Sequence, residues 1–475
     1  MSLDAPARPG DTLRPAWHGP APTRAPAFVP GPPHVRHRPR ARADGIPIDH
    51  IVVALAALAL VLMNAVPSTL LTYLKIHYVT TGGSVVEKFH PATYVFALAF
   101  GAMLLRDRGP VGELDRMIAR SPLLLPYGFS ILLVLVQSIV LGRPVTSAID
   151  TFVLPPIVCL IVWDLTPPQR RPLVWTLHAL MIVNILLGYF EHLSGHRIVP
   201  LAVGDQVLTD EWRATALFGH PLRAAGLVGA YALALLLRPS LCPSPWLRVP
   251  LLLLCIGSLF VFGGRTALVM VLFGIGALAA WGGLRFLRGA RAGVPLVIAG
   301  ICVAFAVVAG ALVLLDVGFL DKMLLRFTSD NGSAWARIES LNLLASLDAR
   351  EVLFGVDSAR LDSLQSLFGI RIGIENFWIA CIAQYGLIAT ALLTIGLACF
   401  FTEVLRRSHP AAAALVAFLL VIAASSLSFS AKTVMLAQYV MLMLLLLGRD
   451  PVARRRHAQG RVGAGALPPR PLRSR

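Results

Sequence analysis

Four short clusters in this chain combine the residue types that phosphate and proton chemistry need. The first runs Arg213-Ala214-Thr215-Ala216-Leu217-Phe218-Gly219-His220-Pro221-Leu222-Arg223, with two arginines and a histidine close together. The second is Gly263-Gly264-Arg265-Thr266, where paired glycines allow close backbone approach beside a cation. The third begins at Arg337 and continues with Arg350, Arg360 and Arg371. The fourth is Glu375-Asn376-Phe377-Trp378, followed by Gln384-Tyr385-Gly386. A guanidinium fork matches phosphate oxygens in pairs, and a carboxylate can accept the proton of a substrate hydroxyl. Several arginines with one carboxylate on one face therefore suit an anionic, phosphate-bearing substrate and a general base. Blander readings stand beside this one. Arg223 could snorkel to an interface, and Arg265 could sit in a structural salt bridge. Glu375 could simply favour the positive end of a helix dipole. Arg350 and Arg360 read as solvated surface.

The elements that must position these clusters are read from composition. Of 475 residues, 56% are hydrophobic and 14% charged, which is too apolar for a soluble domain. Apolar runs recur from Ile51 to Leu447, most approaching the roughly 20 residues that cross a bilayer. Backbone groups inside hydrocarbon must be satisfied internally, so the runs predict an all-α, polytopic membrane helix bundle. A soluble helical protein would show polar helix faces, and Val294–Leu315 shows none. About twelve spans are expected, at 50–73, 89–105, 122–142, 149–165, 172–190, 221–237, 247–263, 265–282, 294–315, 376–401, 411–428 and 430–448.

The net charge of +17 is concentrated in the tails, with seven arginines before Pro47 and eight from Arg449 onward. With both ends in the cytoplasm, the tails and the loops near 106–121, 166–171, 238–248, 283–293 and 402–410 hold 28 of the 42 Lys and Arg residues. That is the pattern of the positive-inside rule, and no nucleic-acid motif accompanies the charge. The expected organisation is a disordered basic tail (1–47), a transmembrane domain (48–448) and a basic tail (449–475). No apolar core precedes Ile48, so the N-terminus does not read as a cleaved signal peptide. Two external segments, 191–220 and 316–375, exceed simple turns, and the second precedes the tenth span. It reads as amphipathic over Ser333–Leu347, with Trp335, Ile338, Leu341 and Leu344 at three-residue spacing and Ser333 as N-cap. Such a helix lies on the membrane surface or caps the bundle. The six cysteines, at 159, 242, 255, 302, 381 and 399, form neither a disulfide framework nor a metal-ligand spacing.

Read in order, Arg213, Phe218-Gly219-His220-Pro221, Gly264-Arg265-Thr266-Ala267, Leu353-Phe354-Gly355-Val356, Glu375-Asn376 and Tyr385-Gly386 resemble the O-antigen ligase/polymerase superfamily. The likeness covers roughly residues 185–400 and is closest to the VpsF-type exopolysaccharide proteins. The resemblance implies a bacterial inner-membrane glycosyltransferase of surface-polysaccharide assembly. Such enzymes move a glycan from undecaprenyl pyrophosphate to a sugar hydroxyl at the periplasmic face, with no metal or other cofactor. It further implies that Arg213, Arg223 and Arg265 bind pyrophosphate, that Arg337 assists from the loop, and that Glu375 activates the acceptor. Expected partners are the lipid-linked oligosaccharide, membrane lipids, a flippase and a chain-length regulator. Ligases of this superfamily commonly carry His where this chain has Glu375, which favours a polymerase over a ligase acting on lipid A-core. His220 is the second candidate for the base.

Two readings of another class compete with this one. A secondary transporter would also have about a dozen spans with both ends inside, yet transporters place ionisable residues near the midplane. A non-catalytic subunit of an export complex would make the arginines dispensable.

Overall fold

The computed structural model describes residues 48–449 apart from 81, 107–108, 204–205, 208–212, 239–244, most of 290–332, 371–372, 426–428 and 430. Both basic tails, most of the expected span 294–315, Cys242, Cys302 and Arg371 lie outside the described residues. What is described belongs to one compact unit, Ile46–Arg475.

The fold is almost wholly helical. The chain forms α1 (Ile48–Ala65), α2 (Ser68–Tyr73), α3 (Pro91–Leu104), α4 (Gly109–Arg120), α5 (Leu124–Val140) and α6 (Val145–Asp164). It continues with α7 (Pro167–Ser194), α8 (Pro221–Leu237), α9 (Pro245–Val261) and α10 (Arg265–Leu287). Beyond the undescribed stretch come α11 (Ser333–Ala345), α12 (Ala349–Phe354), α13 (Ser358–Leu367), α14 (Phe377–Arg407), α15 (Ala412–Ser425) and α16 (Met435–Leu447). A two-residue antiparallel ladder pairs Ala202–Val203 with Gln206–Val207.

Among the described residues five helices, α1, α6, α7, α10 and α14, are long and apolar enough to cross a membrane. A sixth results if α4 and α5 form one span, although their axes bend by 109°. The other apolar helices are shorter: α3, α8, α15, α16 and the Leu247–Val261 part of α9. At about 1.5 Å per residue, 13 to 17 residues reach about 20–25 Å, less than a hydrocarbon core of about 30 Å. Non-helical backbone is tolerated at that depth where protein surrounds it. α16 meets this condition, being buried along its whole length.

The sequence explains several boundaries. Pro67 cannot donate to the ladder and separates α1 from α2. Pro167 and Pro168 occupy the first turn of α7, where no N–H is needed, and a Thr166–Gln169 capping box starts it five residues before the expected 172. α8 is rich in Ala, Gly and Leu and buried from Ala224 to Leu235, so α7, α9, α10, α15 and α16 all pack against it.

At the end of the bundle away from the four clusters, charges pair off. Arg106 bonds Asp49 at 2.8 Å and also meets Asp164. Arg116 lies 3.0 Å from Asp164 and 2.5 Å from Glu113. Arg407 bonds Glu403 at 2.8 Å and stacks over the Trp163 ring.

Candidate functional site

The loop bearing the first cluster is held by two polar side chains of α7. Glu191 and Asn184 lie seven residues apart, hence on one helix face, and both are buried. One carboxylate oxygen of Glu191 accepts the amides of Thr215 (2.7 Å) and Ala216 (2.9 Å). The other accepts the amide of Ile198 (3.0 Å), while the Asn184 carbonyl accepts that of Leu217 (3.0 Å). Three consecutive amides are thus taken up by side chains, which holds Ala216 at φ +47°, a conformation non-glycine residues rarely adopt. His220 then caps α8, its ring nitrogen Nδ1 accepting the amide of Leu222 at 3.2 Å. A neutral imidazole that accepts through Nδ1 carries its proton on Nε2.

The second cluster sits against the first. The amide of Ala214 donates to the carbonyl of Val261 at 3.3 Å, tying the residue after Arg213 to the end of α9. At Gly264, a Cβ would lie 2.2 Å from the Cβ of Ala225, so only glycine lets this turn rest on α8. Arg265 follows as the first residue of α10, and Ala225 is two residues beyond Arg223. Arg213, Arg223 and Arg265 consequently occupy adjoining backbone, each partly buried. One nitrogen of Arg223 donates to the Thr433 hydroxyl at 2.9 Å.

The third and fourth clusters meet through a helical cap, α11 to α13, with a small core of Leu343, Leu347, Val356, Leu361, Leu364, Ile370 and Ile374. The cap locks into a break in α14. Gly386 has φ +84° and ψ 162°, a region open essentially to glycine, and a Cβ there would lie 2.4 Å from the carbonyl oxygen of Leu353. Gly355 (φ +88°) faces it, and the amide of Val356 donates to the carbonyl of Ala383 at 3.0 Å. The end of α5 closes the joint: Gln137 donates to the carbonyl of Phe354, and Arg143 donates to that of Val356 at 2.6 Å. Leu353-Phe354-Gly355-Val356 and Tyr385-Gly386 are therefore two halves of one joint. Within the cap Arg337 and Glu375 form an ion pair at 3.8 Å. Asn376 is the N-cap of α14, its side-chain oxygen accepting the amides of Trp378 and Ile379.

The expected stripe divides between two faces, with Leu344 packed on the cap core. The stripe Trp335, Ile338 and Leu341 is exposed by 50, 56 and 56%, while Leu343 and Leu347 face the cap core. The docked side of α11 carries Ala336, Ser340, Leu343 and Leu344, and Leu347 follows just past its end.

Several polar residues at this end carried no weight in the sequence. A π-helical turn, Ile149–Val153, interrupts α6 and buries Asp150 completely. Asp150 accepts bonds from the Tyr78 hydroxyl (2.9 Å), the Thr93 hydroxyl (2.7 Å) and the His90 amide (3.1 Å). Burial, and then the Asp150 carboxylate, push the Tyr78 phenol well above its usual range, so it remains a donor. Lys432 donates to the carbonyls of Tyr78 (2.8 Å) and Lys88 and to the Thr146 hydroxyl (3.3 Å). The available signal was an acid and a lysine inside expected spans 149–165 and 430–448, since ionisable groups there are functional candidates by default.

These groups link the two halves of the site. The Thr433 amide donates to the Thr151 hydroxyl at 3.4 Å, and Phe152 meets Phe377 edge-on with ring centroids 6.4 Å apart. A continuous path thus runs from Arg223 through Thr433, Thr151, Phe152 and Phe377 to Asn376 and Glu375. The structure joins Arg337 to Glu375 directly, brings the segments bearing Arg213, Arg223 and Arg265 onto neighbouring backbone, and connects the groups through the π-helical turn. Neither a protein-family model nor a curated protein sequence matches this chain.

Proposed function

We propose that this chain is a bacterial surface-polysaccharide polymerase of the inner membrane, with about twelve spans and both termini cytoplasmic. It transfers a glycan from undecaprenyl pyrophosphate to a sugar hydroxyl at the periplasmic face, without a metal. The observation that supports the reading is the packing of the segments that carry Arg213, Arg223 and Arg265 against one another, at the same end of the bundle as Glu375. The resemblance in motif order adds the substrate class.

In this reading the acceptor hydroxyl oxygen attacks the anomeric carbon and gives its proton to Glu375. The bond from that carbon to the pyrophosphate oxygen breaks, and undecaprenyl pyrophosphate leaves with its new charge spread over the arginines. Arg337, paired with Glu375, orients the carboxylate and assists pyrophosphate binding from the loop. The cap over the site limits access of water, which would otherwise compete with the sugar hydroxyl.

Purified protein in lipid bilayers, given a lipid-linked repeat unit, is expected to lengthen it with chelator present. Arg265→Ala and Glu375→Gln should each lower that rate by about 10²-fold or more. Full-length polymer from both variants, inserted normally, would refute the reading. Accumulation of single repeats on deletion of the chain in cells is the matching expectation for a polymerase.

A further inference from the structure

α4 turns three apolar side chains outward and two charged ones inward. Glu113 is buried, and Arg116 bridges Glu113 at 2.5 Å and Asp164 at 3.0 Å, while Asp115 and Arg120 stay exposed at the flanks of the outer face. Met117 packs into the core, and three other apolar residues turn outward, with Val111 81%, Leu114 41% and Ile118 36% exposed. These three share one face at helical spacing. An exposed apolar row on α5 (Leu125, Phe129, Leu132 and Val136) continues the surface beyond the bend. The bend between the two axes is 109°, so if α5 crosses a bilayer, α4 runs nearly along its surface.

We propose that α4 is an interfacial helix, lying along the membrane surface with Val111, Leu114 and Ile118 in the acyl boundary of the leaflet. The occupant of its outer face is lipid. The in-turned charges fit this placement, because Arg106, Arg116 and Asp164 satisfy one another inside the protein while the outer face loses its apolar area from water. Arg120, 61% exposed at the end of the helix, lies 3.8 Å from Asp164 at the margin of the same ion-pair group. The inference rests on α5 spanning the membrane and is independent of the transfer chemistry.

Tryptophan depth measurement on the full chain in phosphatidylcholine nanodiscs tests it, taking each signal as the difference from the parent with its eight tryptophans. Leu114→Trp and Ile118→Trp are expected to be quenched about twofold more by lipids brominated near the head group than by lipids brominated at the chain ends. Leu132→Trp should show the opposite order. Quenching of the α4 probes by aqueous iodide but not by brominated lipid would overturn the proposal, because the face would be in water. Protection from both would overturn it too, because protein would then cover the face. If Leu132→Trp escapes brominated lipid, the premise fails, whatever the outcome of the polymerase assay. Val111→Trp, at the most exposed position, supplies the same readout should Leu114→Trp not accumulate.

Discussion

Glu191→Gln isolates the support of the arginine loop from the arginines themselves. The wild-type carboxylate accepts three backbone amides, and a glutamine of the same size has one accepting oxygen. If that oxygen stays with Thr215 and Ala216, the new NH2 group points at the Ile198 amide, and one charge-assisted bond is lost while two become neutral. At about 1.5–3 kcal/mol for a bond to a charged group and about 1 for a neutral one, the loss is about 2.5–7 kcal/mol. The φ of +47° at Ala216 adds strain of about 1–3 kcal/mol that the weakened anchor must still hold. Local opening should rise accordingly. At 1.4 kcal/mol per factor of ten, the lower bound of about 2.5 kcal/mol makes amide exchange across 213–220 about 60-fold faster. Hydrogen exchange by mass spectrometry in nanodiscs reads this directly, with peptides from α16 as the unchanged reference. Polymerising activity should fall in parallel, since Arg213 loses its fixed position. If exchange of Thr215 to Leu217 stays within a factor of two of wild type, the carboxylate does not hold the loop.

Three further outcomes follow from the geometry. Gly386→Ala places a Cβ 2.4 Å from the Leu353 carbonyl oxygen at a φ that L-residues avoid, so the cap should undock at a cost of about 2–4 kcal/mol. Limited proteolysis across 345–375 will show it, with Gly101→Ala, which meets nothing within 4 Å, as the control. Gly264→Ala should abolish activity by pushing α10 off Ala225, and Gly264→Ala with Ala225→Gly should regain much of it. A double-mutant cycle of glycan transfer measures that coupling. The amide and ring of His77, with Ser84, hold the Glu87 carboxylate down to about 2 from 4.5. A depressed carboxylate stabilises above its ordinary value and loses that contribution as pH falls, so exchange protection of 77–88 should decline between pH 4.5 and 2 and be flat in Glu87→Gln.

Much of the bundle was legible because apolar runs end where the chain can no longer stay helical. α8 runs over the expected 221–237 because Pro221 starts it, after which Ala, Gly and Leu continue without a charge beyond Arg223. The stretch 106–121 reads as a short basic loop, since nothing in the sequence announces that Arg116, paired with Glu113, also finds Asp164 some fifty residues away. The break in α14 was hidden for a similar reason. Gly386 sits in an apolar run, and its need for positive φ arises only when Phe354 and Gly355 arrive from the cap. In the site, the arginines and Glu375 stand out because charge is rare in apolar surroundings. Glu191 and Asn184 do not, because an acid at a helix end looks solvated until its amide partners are known. Asp150 was overlooked although it sits in an expected span, because its partners come from three separate segments.

The joint at Gly355 and Gly386 is made chiefly of main-chain atoms: carbonyls of Leu353, Phe354, Val356 and Ala383, and the amide of Val356. Main-chain atoms are the same whatever side chains flank them. The segment between Val356 and Ile374 is therefore a cassette whose outward residues can diverge without loosening its socket. Chimaeras that exchange this cassette and keep Gly355, Gly386, Gln137 and Arg143 should still insert and dock. They would show whether choice of acceptor travels with the cassette, leaving the arginine cluster as a constant frame.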